Sequence, residues 1–301
     1  MFDEATRGAG DVALTFGDVD DRDKPLAVLV HGFPDTPHTF RYLGPQLADH
    51  GYRVVAPWLP GYATAVAEPI SAGTYAKHVL DVRTEFGGDG RCLLVGHDWG
   101  AMASYGAVGV QPQAFDKLVT LAVPPTASIS DAFTYDQLRR SFYIWFIQQQ
   151  GLAEIAVLKD GFWEGLWSDW SPGYDAVADI ALLRSYVTAE TIASVLAPYR
   201  AQFNPAHGDP HALSEGAATL ASPAVPTLNL HGAEDGALGS EVFSDVIRHL
   251  PAAGSKHELV AGVGHFLHLE QPEMVWTIIE DWLPTTGRVL ADGQGWGVSA
   301  Q

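Results

Sequence analysis

Leu93-Leu-Val-Gly-His-Asp-Trp-Gly-Ala101 sets the frame for the whole chain. An apolar run ends in a Gly-flanked turn and passes straight into a helix start. This is the pattern of a nucleophile elbow, G-x-Nu-x-G, with Asp98 where a serine commonly stands. Gly96 and Gly100 let the chain turn tightly without side-chain clashes. Asp98 is lifted at the strand end, where the N-terminus of the following helix favours its negative charge. The same five residues also suit an Asp that merely caps the next helix, so other positions have to choose between the two.

Outward from that turn the chain alternates. Leu26–Val30 (LAVLV) is a continuous apolar run, the signature of a strand covered on both faces. Residues 53–56, 92–95 and 118–121 repeat it, with helix-length segments between. Asp11–Phe16 alternates apolar and polar and is predicted as a half-buried edge strand. Such alternation implies a mostly parallel central sheet with helices on both faces, an α/β class. After Val123-Pro124-Pro125 the texture changes: residues 130–220 lack strand-like runs, carry helical periodicity and concentrate Trp145, Trp163, Trp167 and Trp170. Strands resume at Val225-Pro-Thr-Leu-Asn-Leu230 and at 257–260. A last helix is expected over 274–282, with a loose Gly-rich tail from Gly287. The organisation predicted is therefore an α/β core, 1–129 and 221–301, carrying a helical insertion, 130–220. Strand ends that face such an insertion are where ligands bind in open α/β sheets.

Two later positions answer the question left by Asp98. A strand followed by Gly232-Ala-Glu-Asp235 puts Asp235 at a strand end, and Gly262-Val-Gly-His265 follows the last candidate strand. Nucleophile, acid, histidine is a chain order used by catalytic triads. Glu234 is the nearest rival acid but fits the G-x-x-D spacing less well. His31-Gly32-Phe33-Pro34, directly after LAVLV, aims backbone N–H groups into the same cleft. Those of Phe33 and Trp99 would form an oxyanion hole beside Asp98.

The sequence as a whole resembles the α/β-hydrolase superfamily and, within it, the epoxide hydrolase branch. The residues that carry the resemblance are His31-Gly-Phe-Pro34, Pro60-Gly61-Tyr62, Gly96-His-Asp-Trp-Gly100, Gly232-Ala-Glu-Asp235 and Gly264-His265, in order along nearly the whole chain. The resemblance implies an α/β-hydrolase fold, a cis Phe33–Pro34 peptide, and a cap formed by the insertion. It also implies two cap tyrosines, matched by Tyr143 in Ser-Phe-Tyr-Ile-Trp-Phe-Ile-Gln148 and Tyr199 in Ala-Pro-Tyr-Arg200. A carboxylate nucleophile suits attack on a saturated carbon, giving an ester of Asp98. Water activated by His265, itself oriented by Asp235, would hydrolyse that ester. An epoxide would leave an alkoxide needing a donor such as a phenol. A haloalkane dehalogenase would need halide donors. Trp99 is compatible with that, but Phe33 stands where such enzymes tend to carry Asn, and Phe cannot donate. An idle scaffold that binds a hydrophobic ligand is the third reading, weakened because every expected catalytic position holds a competent side chain.

Composition bounds the rest. The chain has 301 residues, 47% hydrophobic and 18% charged, enough for a large core. A net charge of −19 argues against a nucleic-acid partner. No run reaches a membrane span, the acidic start Met-Phe-Asp-Glu is unlike a secretory signal, and the single cysteine, Cys92, has no internal partner. A cytoplasmic protein is expected, monomer or homodimer, acting on an apolar or aryl epoxide with water. His207, His211, His257 and His268 show no metal-ligand spacing and no phosphate-cradling glycine motif opens a helix, so neither a metal nor another cofactor is expected.

Overall fold

A computed structural model describes residues 3–7, 11–67, 69–128, 133–243 and 245–283; the expected tail from Gly287 lies outside them. The described strands are β1 (Asp3–Arg7), β2 (Asp11–Phe16), β3 (Leu26–Val30), β4 (Arg53–Pro57), β5 (Cys92–His97), β6 (Phe115–Leu121), β7 (Thr227–Gly232) and β8 (Lys256–Val260). They form one sheet in the order β1-β2-β4-β3-β5-β6-β7-β8. The pairs β1/β2 and β2/β4 are antiparallel, and every other neighbouring pair is parallel.

Apolar runs become strands here because both faces of the sheet are covered. In β3, Leu26, Val28 and Val30 pack into one core cluster and Ala27 and Leu29 into the other. β5 repeats the split, with Cys92 and Leu94 on the first side and Leu93 and Val95 on the second. Successive side chains point to opposite faces, so a strand buried twice must be apolar throughout. The helices α2 (Ala72–Glu85) and α3 (Trp99–Val110) supply the first face; α1 (Leu43–Asp49), α11 (Leu267–Glu270) and α12 (Pro272–Trp282) supply the second. The last helix begins two residues before the 274–282 expected, with Pro272 in its first turn, where a missing N–H does no harm.

One expectation is corrected. β2 is not the edge of the sheet, because β1 pairs along its outer side from Asp3↔Thr15 to Arg7↔Asp11. Its polar alternation reflects a strand next to the rim rather than at it.

Between β6 and β7 the described chain is helical: α4 (Tyr135–Arg140), α5 (Phe142–Ile147), α6 (Leu152–Val157), α7 (Phe162–Trp170), α8 (Val177–Tyr186), α9 (Ile192–Phe203) and α10 (Leu213–Ala218). The last of these packs on α2 and α3. The others face the strand ends through an aromatic cluster in which Trp163, Trp167 and Trp170 are almost wholly buried. No described helix is long and apolar enough to cross a membrane.

Candidate active site

Asp98 occupies the turn between β5 and α3 with φ +51° and ψ −117°, a conformation that a side-chain-bearing residue adopts only when its surroundings impose it. The two glycines matter by close approach. A Cβ at Gly96 would lie 2.3 Å from the Gly100 carbonyl oxygen, and one at Gly100 would lie 1.9 Å from that of Val30. Asp98 stands at the N-cap position of α3, yet its side chain makes no capping hydrogen bond. The capping alternative therefore fails. Its Oδ1 instead accepts from the Phe33 N–H at 2.7 Å. Burial raises the Asp98 pKa, opposed by His265 and by the N–H groups of Phe33 and Trp99.

The Phe33–Pro34 peptide is cis. His31 anchors this turn from both sides of its ring: Nδ1 lies 3.0 Å from the Gly32 carbonyl and Nε2 accepts from the Leu59 N–H at 3.1 Å. Burial depresses its pKa to about 3, so the ring is neutral.

Asp235 follows β7 and is buried, while Glu234 beside it is exposed. The Asp235 Oδ1 accepts from the N–H groups of Ala237 at 2.7 Å and Leu238 at 3.0 Å, and Oδ2 accepts from His265 Nδ1 at 2.9 Å. With its Nδ1 donating, a neutral His265 carries its lone pair on Nε2. That atom has no hydrogen-bond partner among the described residues and lies 3.8 Å from Asp98 Oδ2. Burial opposes a charge on His265, but the Asp235 carboxylate and then that of Asp98 outweigh it and raise the pKa above the ordinary value. Burial would raise Asp235; the His265 ring outweighs it and holds the carboxyl below its usual range.

Tyr143 on α5 and Tyr199 on α9 come together over this group. Their ring centroids are 5.8 Å apart, and each packs on Phe33, at 6.3 Å and 5.0 Å. Tyr199 also sets its ring edge-on against Trp99 at 5.0 Å. Burial, reinforced by nearby negative charge, pushes both phenols well above their ordinary pKa, so both keep their protons. The Tyr199 hydroxyl has no hydrogen-bond partner among the described residues. Both tyrosines line one cavity of about 720 Å³ with Asp98, Trp99 and His265. Trp163, Trp167 and Trp170 do not line it; they pack behind its wall.

The fold adds partners that no sequence pattern announced. The Trp170 carbonyl, at the end of α7, accepts from the N–H groups of His265 at 2.9 Å and Gly236 at 3.2 Å, and the Trp170 ring lies 4.9 Å from that of His265. Ser171 Oγ accepts from the Phe266 N–H at 3.0 Å and donates to Glu270 at 2.7 Å, while Glu270 accepts from the Gly264 N–H. One corner of the helical insertion thus holds both the acid loop and the histidine loop. Beneath the site, Asp35, His97 and His268 bring potential ligand atoms within 4.8 Å of one another, all buried. Spacing joins His268 to no other such residue; only the meeting of the turn after β3, the end of β5 and α11 does. Asp35 Oδ2, His97 Nδ1 and His268 Nδ1 have no hydrogen-bond partner among the described residues.

With this geometry in hand, comparison with known proteins gives the class. The chain belongs to the α/β-hydrolase fold family, whose sequence profile it matches over residues 25–272. Within that family its likeness runs to the epoxide hydrolase branch. It is 31% identical to Epoxide hydrolase A of Mycobacterium tuberculosis over 145 residues, which cover 45% of this chain and only 44% of that protein. It is 26% identical to Epoxide hydrolase 3 of Mus musculus over 276 residues, 86% of this chain and 71% of that one. The solved Epoxide Hydrolase A from Mycobacterium thermoresistibile shares the fold with a TM-score of 0.74 at 20% identity, over 94% of this chain and 98% of the other. An epoxide hydrolase from an endophytic Streptomyces does so with a TM-score of 0.71 at 21% identity, over 94% of each chain.

Proposed function

We propose that this protein is an epoxide hydrolase that opens an epoxide to a vicinal diol through a covalent ester on Asp98. The observation that carries the reading is the meeting, in one cavity, of a carboxylate held by a backbone N–H with two buried, protonated tyrosines. In the first step Asp98 Oδ2, the oxygen not held by Phe33, attacks an epoxide carbon. The ring C–O bond breaks, and the leaving alkoxide takes a proton from Tyr143 or Tyr199. In the second step His265 Nε2 removes a proton from water, which adds to the ester carbonyl carbon. The oxyanion that forms develops on Oδ1, against the N–H groups of Phe33 and Trp99. Collapse releases the diol and restores the carboxylate, and the proton on His265 returns to the tyrosinate through solvent. His265 is the base of the second step only, with Asp235 fixing its tautomer.

On the same reading residues 130–220 act as a cap on a core formed by 1–129 and 221–301, with α10 the part of the insertion that rests on core helices. The substrate is an apolar or aryl epoxide. A cytoplasmic setting belongs to this reading too. A haloalkane-type dehalogenase would use the same nucleophile. The position of Phe33, fully buried among Tyr143, Trp163, Trp170 and Tyr199, counts against it, because a halide there would face a ring with no donor.

The test is His265→Ala incubated separately with an aryl epoxide and a bromoalkane, read by intact mass. Without the base the ester should accumulate, and a gain equal to the whole epoxide supports the proposal. A gain of the alkyl group alone, with bromide lost, assigns dehalogenation. No adduct with either compound argues for a narrow substrate range or an idle site. Asp98→Asn serves as the blank for surface alkylation.

A further inference from the structure

The Asp98 cavity is large for the reaction it would serve. At about 720 Å³ it falls in the range that encloses a drug-sized ligand, and a small aryl epoxide would leave most of it unfilled. Its far wall and mouth are apolar: Met102, Leu138, Trp145, Phe203, Leu213 and Leu220 line it. Of these Trp145 is 41% exposed, Phe203 47% and Leu213 68%, so the apolar lining runs out to the surface.

Charge is as telling as shape. Among the described lining residues there is no lysine or arginine, and the carboxylates present are Asp98 and Asp209. The arginines nearest the tyrosines are engaged elsewhere. Arg140 donates to the Asp235 carbonyl at 2.8 Å; Arg200, next to Tyr199, pairs with Glu154 at 2.7 Å and donates to the Ile147 carbonyl. A substrate carboxylate in this cavity would find hydroxyl donors and the His265 ring but no lysine or arginine to pair with, and would lie in the same space as the carboxyl groups of Asp98 and Asp209. The net charge of −19 adds repulsion at longer range.

We infer that the substrate is an uncharged epoxide on a long or multi-ring apolar body that fills the cavity to its mouth, and that carboxylate-bearing epoxides are rejected. The inference rests on the epoxide hydrolase reading for its chemistry but on the cavity alone for its charge preference. Kinetics and binding therefore test it separately.

The kinetic arm compares methyl epoxystearate, epoxystearic acid and styrene oxide at neutral pH and low salt. The ester should exceed the acid at least tenfold in kcat/KM and should exceed styrene oxide. An acid turned over as well as its ester overturns the charge preference, and an ester no better than styrene oxide overturns the size argument. The binding arm needs no turnover: quenching of tryptophan fluorescence, with Trp99 and Trp145 in the wall, should report at least tenfold tighter binding of dodecanol than of dodecanoate. Equal affinities overturn the inference even if epoxides are hydrolysed. If no epoxide is hydrolysed while dodecanol is preferred, the functional reading fails and the charge preference stands. Gln202→Arg, which puts a cation at the mouth, should shift the ester-to-acid ratio toward the acid about tenfold; an unchanged ratio also counts against it.

Discussion

The two halves of the site are held in place by different physics. On the sheet side, Asp98, Asp235 and His265 sit at strand ends, and hydrogen bonds between 2.7 and 3.0 Å fix Asp98 Oδ1, both Asp235 oxygens and His265 Nδ1. On the helical side, Tyr143 and Tyr199 are oriented by ring packing against Phe33, Trp99, Trp170 and each other, with the Tyr199 hydroxyl unpaired among the described residues. Polar partners fix a tautomer and a charge state to a fraction of an ångström. Aromatic packing fixes position but leaves the hydroxyl free to turn toward whatever enters. The first suits a nucleophile and a base that must be ready before substrate arrives. The second suits donors whose target differs with the epoxide.

The largest effect of a single substitution is expected where the sheet side is broken electronically but not sterically. Asp235→Asn keeps the shape but can hold His265 in the wrong tautomer, and turnover should fall by about 10⁴-fold. Under the two-step scheme the loss falls on ester hydrolysis, so rapid-quench mass measurements should find the Asp98 ester accumulating. A fall of that size without accumulation would place Asp235 in the first step and break the assignment.

On the helical side the loss should be smaller for one tyrosine than for two. Tyr143→Phe or Tyr199→Phe alone should slow alkylation roughly 10²-fold, and the double variant should abolish it, because each phenol can stand in for the other. Burst kinetics should locate the defect before ester formation. Substantial activity in the double variant would remove both residues from the mechanism and leave the helical side a purely steric wall.

The same contrast governs what could be read from residues in order. Asp98, Asp235 and His265 were legible because a strand-end residue is announced locally, by an apolar run and then glycine. The parallel order followed from strands apolar on both faces. The tyrosines were reached through resemblance, since nothing in a Trp-rich helical segment distinguishes a ring that faces a cavity from one that packs. Trp163, Trp167 and Trp170 illustrate the difficulty, being packed behind the wall rather than in it. The Trp170–Ser171 clamp on the histidine loop and the meeting of Asp35, His97 and His268 were invisible for a different reason. Both join segments far apart in the chain, and neither has a spacing to betray it. β1 was missed because Asp3–Arg7 is a polar rim strand whose one neighbour among the described strands is β2.

The smallest effect tests the buried layer under the sheet side. Asp35 Oδ1 accepts from the Thr36 N–H at 2.7 Å, but Oδ2, next to His97 and His268, has no partner among the described residues. Burial pushes its pKa from 3.8 up to about 8, against the hydrogen bonds from Thr39 and Thr36. Between those values the folded chain holds a proton that the unfolded chain has released. Stability must therefore fall as pH rises through that window, and the penalty is complete above the folded value. His265, with its raised pKa, and the depressed His31, His97 and His268 also contribute to the wild-type curve. Subtracting the curve of Asp35→Asn, which is neutral at every pH, isolates the carboxyl to the extent that the histidines titrate alike in both proteins. Urea midpoints from about pH 5 to about pH 8 should show the variant gaining on the wild type, by an amount on the order of a few kcal/mol. Parallel curves would mean that Asp35 is ionised throughout. The layer would then hold a permanent charge beneath the site.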